Sequence, residues 1–150
     1  ACATISASML DAQYSQAFTS GTTPIAAGNK IPGIPQTSFF SELAWTSAAV
    51  QPGAKTAPLG TRLAAEVVQS GRVYANDQNT ASADGRTVFN LSASQRWAVN
   101  KAAVTLYARL NNASDERYVG SVIVNQSSKQ FYEPGLPRNW VLGVSVSAPL

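Results

Sequence analysis

The residue types that perform most enzyme chemistry are rare or missing in this sequence. Its 150 residues include no His and a single cysteine, Cys2. Without His there is no Ser-His-Asp triad, no Cys-His pair and no imidazole metal ligand, and one cysteine cannot form an internal disulfide or a cysteine-rich zinc site. The eight carboxylates are scattered, so their spacing indicates no acid pair of the glycosidase type. We expect no catalytic residue, no metal site and no cofactor.

The candidate binding residues are therefore cations and aromatics. One group consists of arginines that alternate with apolar residues: Arg62, Arg72, Arg96 and Arg109. A guanidinium can bind the carboxylates of an anionic ligand in a bidentate manner, but it can equally pair with Glu42 or Glu66 on a neighbouring strand. A second group lies in the longest polar segment, where ligand contacts and internal packing are both open: Tyr118, Phe131, Tyr132 and Arg138. Asp77 and Asn79 resemble part of a calcium loop, but the Gly and the later Glu of that motif are misplaced.

The overall charge is low for a water-soluble domain. Only 13% of the residues are charged, against about 25% in typical soluble proteins, and Ser, Thr, Asn and Gln supply most of the polarity. No segment approaches the roughly 18 consecutive apolar residues that would indicate a membrane helix, so a membrane could be entered only by strands. A net charge of +3 without any run of Lys or Arg does not indicate a nucleic-acid partner.

The hydrophobic pattern has a period of two and predicts an all-β fold. In the last segment, Trp140, Leu142, Val144 and Val146 alternate with small or polar residues. The same alternation, with a change of phase near Leu10 that suggests a bulge, predicts six antiparallel strands at about residues 3–18, 38–48, 62–74, 87–99, 102–111 and 139–150.

The connections between these strands alternate in length. Residues 19–37, 75–86 and 112–138 are long and polar, whereas the connections near 49–60 and at 100–101 are short. This alternation is typical of an up-and-down transmembrane barrel. Five aromatic residues fit the two girdles of such a barrel, three near the long loops and two near the short turns: Phe39, Phe89 and Trp140, then Trp45 and Trp97. A soluble β-sandwich or small barrel shows the same alternation and remains an alternative.

Two segments carry a resemblance to a known family. They read Leu-Tyr-Ala-Arg-Leu-Asn-Asn-Ala-Ser-Asp-Glu-Arg-Tyr-Val-Gly-Ser at 106–121 and Phe-Tyr-Glu-Pro-Gly-Leu-Pro-Arg-Asn-Trp at 131–140. In this order and spacing they resemble the C-terminal end of TonB-dependent outer-membrane receptors. The resemblance implies that the chain is the last six strands of a 22-stranded transmembrane β-barrel, without the plug domain. It also implies that the final strand, with Trp140, Leu142, Val144 and Val146, is the segment that the outer-membrane assembly machinery reads.

The resemblance implies a function as well. A receptor of this family takes up a ferric siderophore or a similar metal chelate across the bacterial outer membrane, driven by TonB through regions absent from these residues. Membrane lipid would contact the apolar side of the strands. Residues 3–9 already alternate like the middle of a strand, so we expect a fragment of a longer chain whose open edges make it self-associate. The alternatives are another outer-membrane barrel, such as a porin or an autotransporter translocator, and a soluble β-sandwich binding module.

Overall fold

The computed structural model describes residues 1–47 and 56–148. These residues contain β-strands and loops, with no helix among them. No helix in this part of the chain is therefore long and apolar enough to cross a membrane. The six long strands are β1 (Cys2–Met9), β2 (Thr37–Thr46), β3 (Thr56–Ser70), β4 (Arg86–Val99), β5 (Ala102–Asn111) and β6 (Asn139–Ser147).

The six strands form a single antiparallel sheet in which each strand pairs with the next one along the chain. The order β1-β2-β3-β4-β5-β6 is an up-and-down meander, and β1 and β6 are its two edges. The predicted all-β class and six-stranded antiparallel arrangement are thus confirmed. Because the number of strands is even, the two edge strands run in opposite directions.

The cross-strand register separates the side chains into two faces. Residues directly opposite one another in a sheet share a face, and one such row runs across five strands: Trp45, Leu63, Ala93, Ala108 and Leu142. We call the face that carries this row the apolar face, and the opposite face, which carries Glu42, Glu66 and Arg109, the polar face. Large side chains of the apolar face are widely exposed, with Ile5 70%, Trp140 67% and Leu142 74% accessible.

Little of the sheet is covered. Among the described residues, the remaining strands form three small two-stranded hairpins within the long loops, and none of them joins the six-stranded sheet: Phe18–Ser20 with Thr23–Ile25, Val73–Tyr74 with Ser82–Ala83, and Val119–Val122 with Tyr132–Pro134. The buried apolar residues are few and mostly small; half of them lie in the loops and half on the polar face of the sheet: Ile25, Ala75 and Ala83, then Ala44, Ala64 and Val88.

The first strand is shorter than the alternation predicts. It ends at Met9 instead of continuing to residue 18. After one more bond to the sheet region, from the Leu10 N–H to the Gln36 carbonyl, the chain pairs with its own loop: Tyr14 N–H donates to Asn29 O at 2.9 Å. The change of phase near Leu10 therefore marks the end of the strand and not a bulge within it.

The third strand is displaced toward the N-terminus relative to the prediction of 62–74. It begins at Thr56, inside the connection expected at 49–60, and ends at Ser70. A shift of register between Pro58 and Gly60 accommodates the proline, and Gly60 has a φ of 139° that side chains rarely allow. At the other end, Gly71 N–H donates to Thr37 O and the chain leaves the sheet. The other strands agree with the prediction to within a few residues, and residues 48 and 149–150 lie outside the described part.

Candidate functional site

Four charged side chains form a compact cluster on the polar face. Glu42 on β2 and Glu66 on β3 are directly opposite each other in the register, so two negative charges meet across neighbouring strands. Arg62 Nη2 donates to Glu42 Oε1 at 2.8 Å. The Arg109 guanidinium holds Glu66 in a bidentate manner, with Nη1 to Oε1 at 2.7 Å and Nη2 to Oε2 at 2.5 Å. The cluster is formally neutral, and each glutamate has its own arginine.

Asparagines extend this cluster toward the long loops. Asn90 Nδ2 donates to Glu66 Oε2 at 3.3 Å, and Arg109 Nε donates to Asn111 Oδ1 at 2.7 Å. Asn111 in turn donates from Nδ2 to Asn139 Oδ1 at 2.9 Å. The polar face between β3 and β6 is thus a continuous hydrogen-bonded surface of charged and amide side chains.

The four arginines predicted as lumen or ligand contacts fall into three situations. Arg62 and Arg109 pair with glutamates on nearby strands, which is the alternative that the sequence left open. Arg96 is exposed on the polar face, near the short turn at 100–101. Arg72 lies beyond the end of β3, in a loop, with Nη2 3.6 Å from Asp84 Oδ1. The structure therefore brings only Arg62 and Arg109 together, and Arg72 is not a strand residue.

A cleft lies where the last long loop meets the polar face. We call it the upper pocket; it has a volume of about 360 Å³ and is lined by Val68, Arg86, Val88, Asn90, Asn111, Asn112, Tyr118, Leu136 and Asn139. Arg86 Nη1 donates to the carbonyls of Val119 and Gly120, both at 2.8 Å, and its guanidinium lies 4.9 Å from the centre of the Tyr118 ring. Apolar, aromatic and amide groups therefore face one space.

Asn112 fixes the loop that covers this pocket. It is 2% exposed and has a left-handed φ of 50°, a conformation that asparagine tolerates better than most residues. Its Nδ2 donates to the carbonyls of Glu116 and Leu136, and its Oδ1 accepts the Glu116 N–H at 2.9 Å. Its own N–H donates to Asn90 Oδ1 at 3.0 Å, which joins the loop to the sheet.

A close contact between neighbouring strands shapes the polar face near its β6 edge. Tyr107 on β5 lies directly opposite Gly143 on β6. A Cβ placed on Gly143 would be 2.2 Å from the Tyr107 Cζ atom. The glycine is therefore required for the tyrosine ring to lie flat across the final strand. Gly135 has the same relation to Tyr118 in the last loop, where a Cβ would be 2.1 Å from Cε2.

The three long loops are joined to one another by a network centred on Asp77. We name them loop 1 (residues 10–36), loop 2 (71–85) and loop 3 (112–138). Asp77 in loop 2 accepts the Tyr14 hydroxyl of loop 1 at 2.7 Å and the Asn125 Nδ2 of loop 3 at 2.8 Å. Asn125 Oδ1 accepts the Asp77 N–H, and Asn29 Nδ2 donates to the Asp77 carbonyl. One carboxylate thus ties all three loops together.

The network changes the acidity of one of its members. The Tyr14 hydroxyl donates a hydrogen bond to the Asp77 carboxylate, and ionised Tyr14 would lose that bond and face a like charge. The hydrogen bond, partial burial and charge repulsion all raise the pKa of Tyr14 above its ordinary value.

A second cleft lies where the three loops meet. We call it the loop cleft; its volume is about 300 Å³, and it is lined by Ser20, Thr23, Ile25, Asn76, Asp77, Gln78, Asn125, Gln126, Ser127, Lys129 and Phe131. Of the four residues predicted as loop contacts, Phe131 lines this cleft and Tyr118 lines the upper pocket. The Tyr132 hydroxyl donates to the Ser82 carbonyl at 3.1 Å, and Arg138 is exposed, with its N–H bonded to Asp115 Oδ1.

The five aromatic residues predicted for the girdles share the apolar face. The register places Phe39 and Phe89 on the loop side of β2 and β4, and Trp45 and Trp97 lie six and eight residues further along the same strands. Trp140 lies opposite Leu110 on the same face, at the loop end of β6. The final-strand residues Leu142, Val144 and Val146 follow Trp140 on that face and are exposed at the β6 edge.

Several residues of the site were not selected from the sequence. Asp77 and Asn79 match only part of a calcium-loop motif, and no sequence pattern singles out Asn112, Asn125 or Arg86 as a site residue. Three of these asparagines have a positive φ, so a search for asparagines at turns could have found them: Asn79, Asn112 and Asn125. Among the described residues, no three His, Cys, Asp or Glu side chains are grouped so that they could hold a metal ion.

Comparison with known proteins shows a likeness in fold. No family model matches the sequence. The chain is similar in structure to BauA, the ferric preacinetobactin receptor from Acinetobacter baumannii, with a TM-score of 0.63 over 81% of this chain. The chain shares its fold with part of that receptor. The sequence identity is 21%, so the likeness concerns the fold alone, and this chain covers 17% of the length of the receptor chain.

Proposed function

We propose that this chain is part of the barrel wall of a TonB-dependent outer-membrane receptor that takes up a ferric siderophore or a similar metal chelate. The observation that carries the proposal is the exposed apolar face, which continues across all six strands of a sheet whose other face is charged and amide-rich. Such a sheet suits a surface between lipid and water. The fold likeness to the BauA receptor supports the same assignment.

The apolar face favours a membrane wall over a soluble sandwich. A sandwich buries one face of each sheet against the other sheet, which would cover residues such as Leu63, Leu91 and Leu142. These side chains are between 47% and 74% exposed, and no second sheet among the described residues lies over them. In the proposed barrel they contact acyl chains, and further strands of the longer protein pair with β1 and β6.

The long loops support a receptor more than a general pore. Loops 1, 2 and 3 are fastened together through Asp77, and each carries a hairpin of its own. Ordered loops can present a defined binding surface, and groups that bind ligands concentrate on such loops. The upper pocket, with Arg86, Tyr118 and several amides, is where we place contact with an anionic chelate.

The proposal is tested in cells that express the longer protein. Uptake of a radioactive iron chelate should occur only when TonB is present, and it should fall severalfold when Tyr118 and Leu136 in the upper pocket are both changed to Ala. The matched control changes Ser15 and Gln16, two exposed residues of loop 1, to Ala and should leave uptake unchanged. Uptake that is independent of TonB would favour a porin and contradict the proposal.

A further inference from the structure

The loop cleft has the chemistry of a binding site that is separate from the upper pocket. Its lining combines side chains from all three long loops, which are far apart in the sequence and are brought together by folding. The cleft has a volume of about 300 Å³. That volume is at the lower end of the range for small-molecule sites. The residues that fasten the loops also form part of its wall, so the cleft exists before any ligand arrives.

The lining divides into side chains that hold the loops and side chains that do not. Asp77 and Asn125 are engaged with each other, and Asn76 Oδ1 accepts the Thr80 N–H at 2.9 Å. In contrast, the side chains of Ser20, Thr23 and Gln78 make no hydrogen bond within residues 1–47 and 56–148. Hydroxyl and amide groups in a concave site are available to donate and to accept hydrogen bonds.

The charge of the cleft argues against an ionic ligand. The lining contains one carboxylate, Asp77, and one ammonium group, Lys129. The Asp77 carboxylate already accepts two hydrogen bonds, from Tyr14 and Asn125. The formal charges balance, so the site offers no net field for an anion or a cation.

One aromatic ring completes the lining. Phe131 is half-buried at the cleft and packs edge to face against Tyr132, with the ring centres 6.1 Å apart. The face of an aromatic ring is apolar with a negative quadrupole, so it attracts C–H groups that carry a slight positive charge. A ligand with C–H groups on one side and hydroxyls on its edge matches a phenyl ring surrounded by amides and hydroxyls.

We propose that the loop cleft binds a neutral, hydroxyl-rich ligand, a sugar unit, with Phe131 beneath the sugar ring and Gln78, Ser20 and Thr23 on its hydroxyls. The sugar comes either from a free oligosaccharide or from the carbohydrate of a surface lipopolysaccharide. The site is separate from the proposed cargo contact, because the loop cleft and the upper pocket share no lining residue.

The test is a titration of the longer protein in detergent with maltotriose, chitotriose and xylotriose, and separately with lipopolysaccharide. Saturation-transfer NMR or calorimetry should show binding to at least one of these probes. Gln78→Ala should weaken that binding at least fivefold and Phe131→Leu at least tenfold. Gln16→Ala, at an exposed glutamine of loop 1 that does not line the cleft, is the matched control and should change the affinity less than twofold.

The outcomes separate the two sources and the alternatives. Binding of a trisaccharide indicates a free oligosaccharide, and binding of lipopolysaccharide alone indicates the surface glycan. Because Gln78 is exposed, its substitution should not affect folding, so a loss of binding there reports on the site. The proposal is wrong if none of the probes binds, if Gln78→Ala and Phe131→Leu leave binding unchanged, or if inorganic phosphate displaces the lipopolysaccharide. None of these results bears on TonB-dependent uptake, which tests the proposed function separately.

Discussion

Arg109 on β5 reaches across β4 and holds both carboxylate oxygens of Glu66 on β3, at 2.7 and 2.5 Å. Glu66 is directly opposite Glu42 in the sheet, so this arginine compensates a repulsion between like charges on neighbouring strands. One pair of side chains thus links two strands of the polar face that are separated by a third. The pair is partly buried, with 34% of the Arg109 side chain and 13% of the Glu66 side chain exposed.

We expect Arg109→Ala to lower the free energy of unfolding by about 1–3 kcal/mol, because it leaves Glu66 without its cation beside Glu42. The lower part of that range allows for solvent screening of the partly exposed guanidinium. Arg109→Lys keeps the charge but not the bidentate geometry and should give an intermediate loss. Urea unfolding in lipid vesicles measures the change.

The matched control is Arg96→Ala, an exposed arginine on the same face, for which we expect a change within about 0.5 kcal/mol. Equal losses at both positions would show that the pairing is not stabilising.

Adjacent residues of β6 should respond oppositely to the same substitution. Val144 is on the apolar face and Ser145 on the polar face, and both are exposed. If the apolar face contacts lipid, Val144→Arg should cost about 2–4 kcal/mol near the middle of the bilayer, whereas Ser145→Arg should be tolerated. Unfolding of both variants from vesicles provides the comparison. Similar small effects at the two positions would be expected of a sheet exposed to water on both faces and would oppose the membrane assignment.

Gly143→Ala should destabilise the sheet because the new methyl group would overlap the Tyr107 ring. Overpacking of this kind typically costs about 1–3 kcal/mol. In the background of Tyr107→Ala the same change should cost much less, since the atoms that it would meet are gone. A double-mutant cycle on the free energy of unfolding measures this coupling. If the two losses simply add, the contact between the ring and the final strand is not what requires the glycine.

The loop network should weaken at high pH. The pKa of Tyr14 is raised by its hydrogen bond to Asp77, so the folded loops bind the phenolic proton more tightly than the unfolded chain does. The resulting stabilisation is fully present below the unfolded pKa of about 10 and is lost as the pH rises through the higher pKa of the folded state. Absorbance at the phenolate band should show one tyrosine that titrates late, and Tyr14→Phe should remove it. A titration curve unchanged by Tyr14→Phe would mean that the hydrogen bond does not form in solution.

The sheet was predictable because its signal is local. Alternation along each strand depends on which face every second residue occupies, and this can be read from a few neighbouring residues such as Leu142, Val144 and Val146. The ends of strands were less predictable. The alternation changes phase near Leu10 and then resumes, but pairing of Tyr14 with Asn29 inside loop 1 draws the chain away from the sheet after Met9. At β3, a register shift absorbs Pro58 and Gly60, two residues that the sequence alone indicated as a turn.

The loop network could not be predicted in the same way. Tyr14 and Asp77 are 63 residues apart, and Asp77 and Asn125 are 48 apart, so no local spacing connects them. Asp77 was recognised only as part of a motif that did not fit. For the arginines the sequence allowed either a ligand contact or an ion pair with a glutamate on a nearby strand, and it did not decide between them. The partner of Arg109 depends on the register of two strands that have a third strand between them.

We expect the apolar face to contact lipid and the polar face to contact water. Spin labels placed at single cysteines in a Cys2→Ser background, in the protein reconstituted in vesicles, test it directly. Labels at positions 106, 142 and 144 should be relaxed strongly by oxygen, which dissolves in lipid, and weakly by a water-soluble nickel complex. Labels at positions 105, 141 and 145, which lie on the polar face, should show the reverse. Preferential relaxation by the nickel complex at all six positions would place both faces of the sheet in water, and the sheet would then not be a membrane wall.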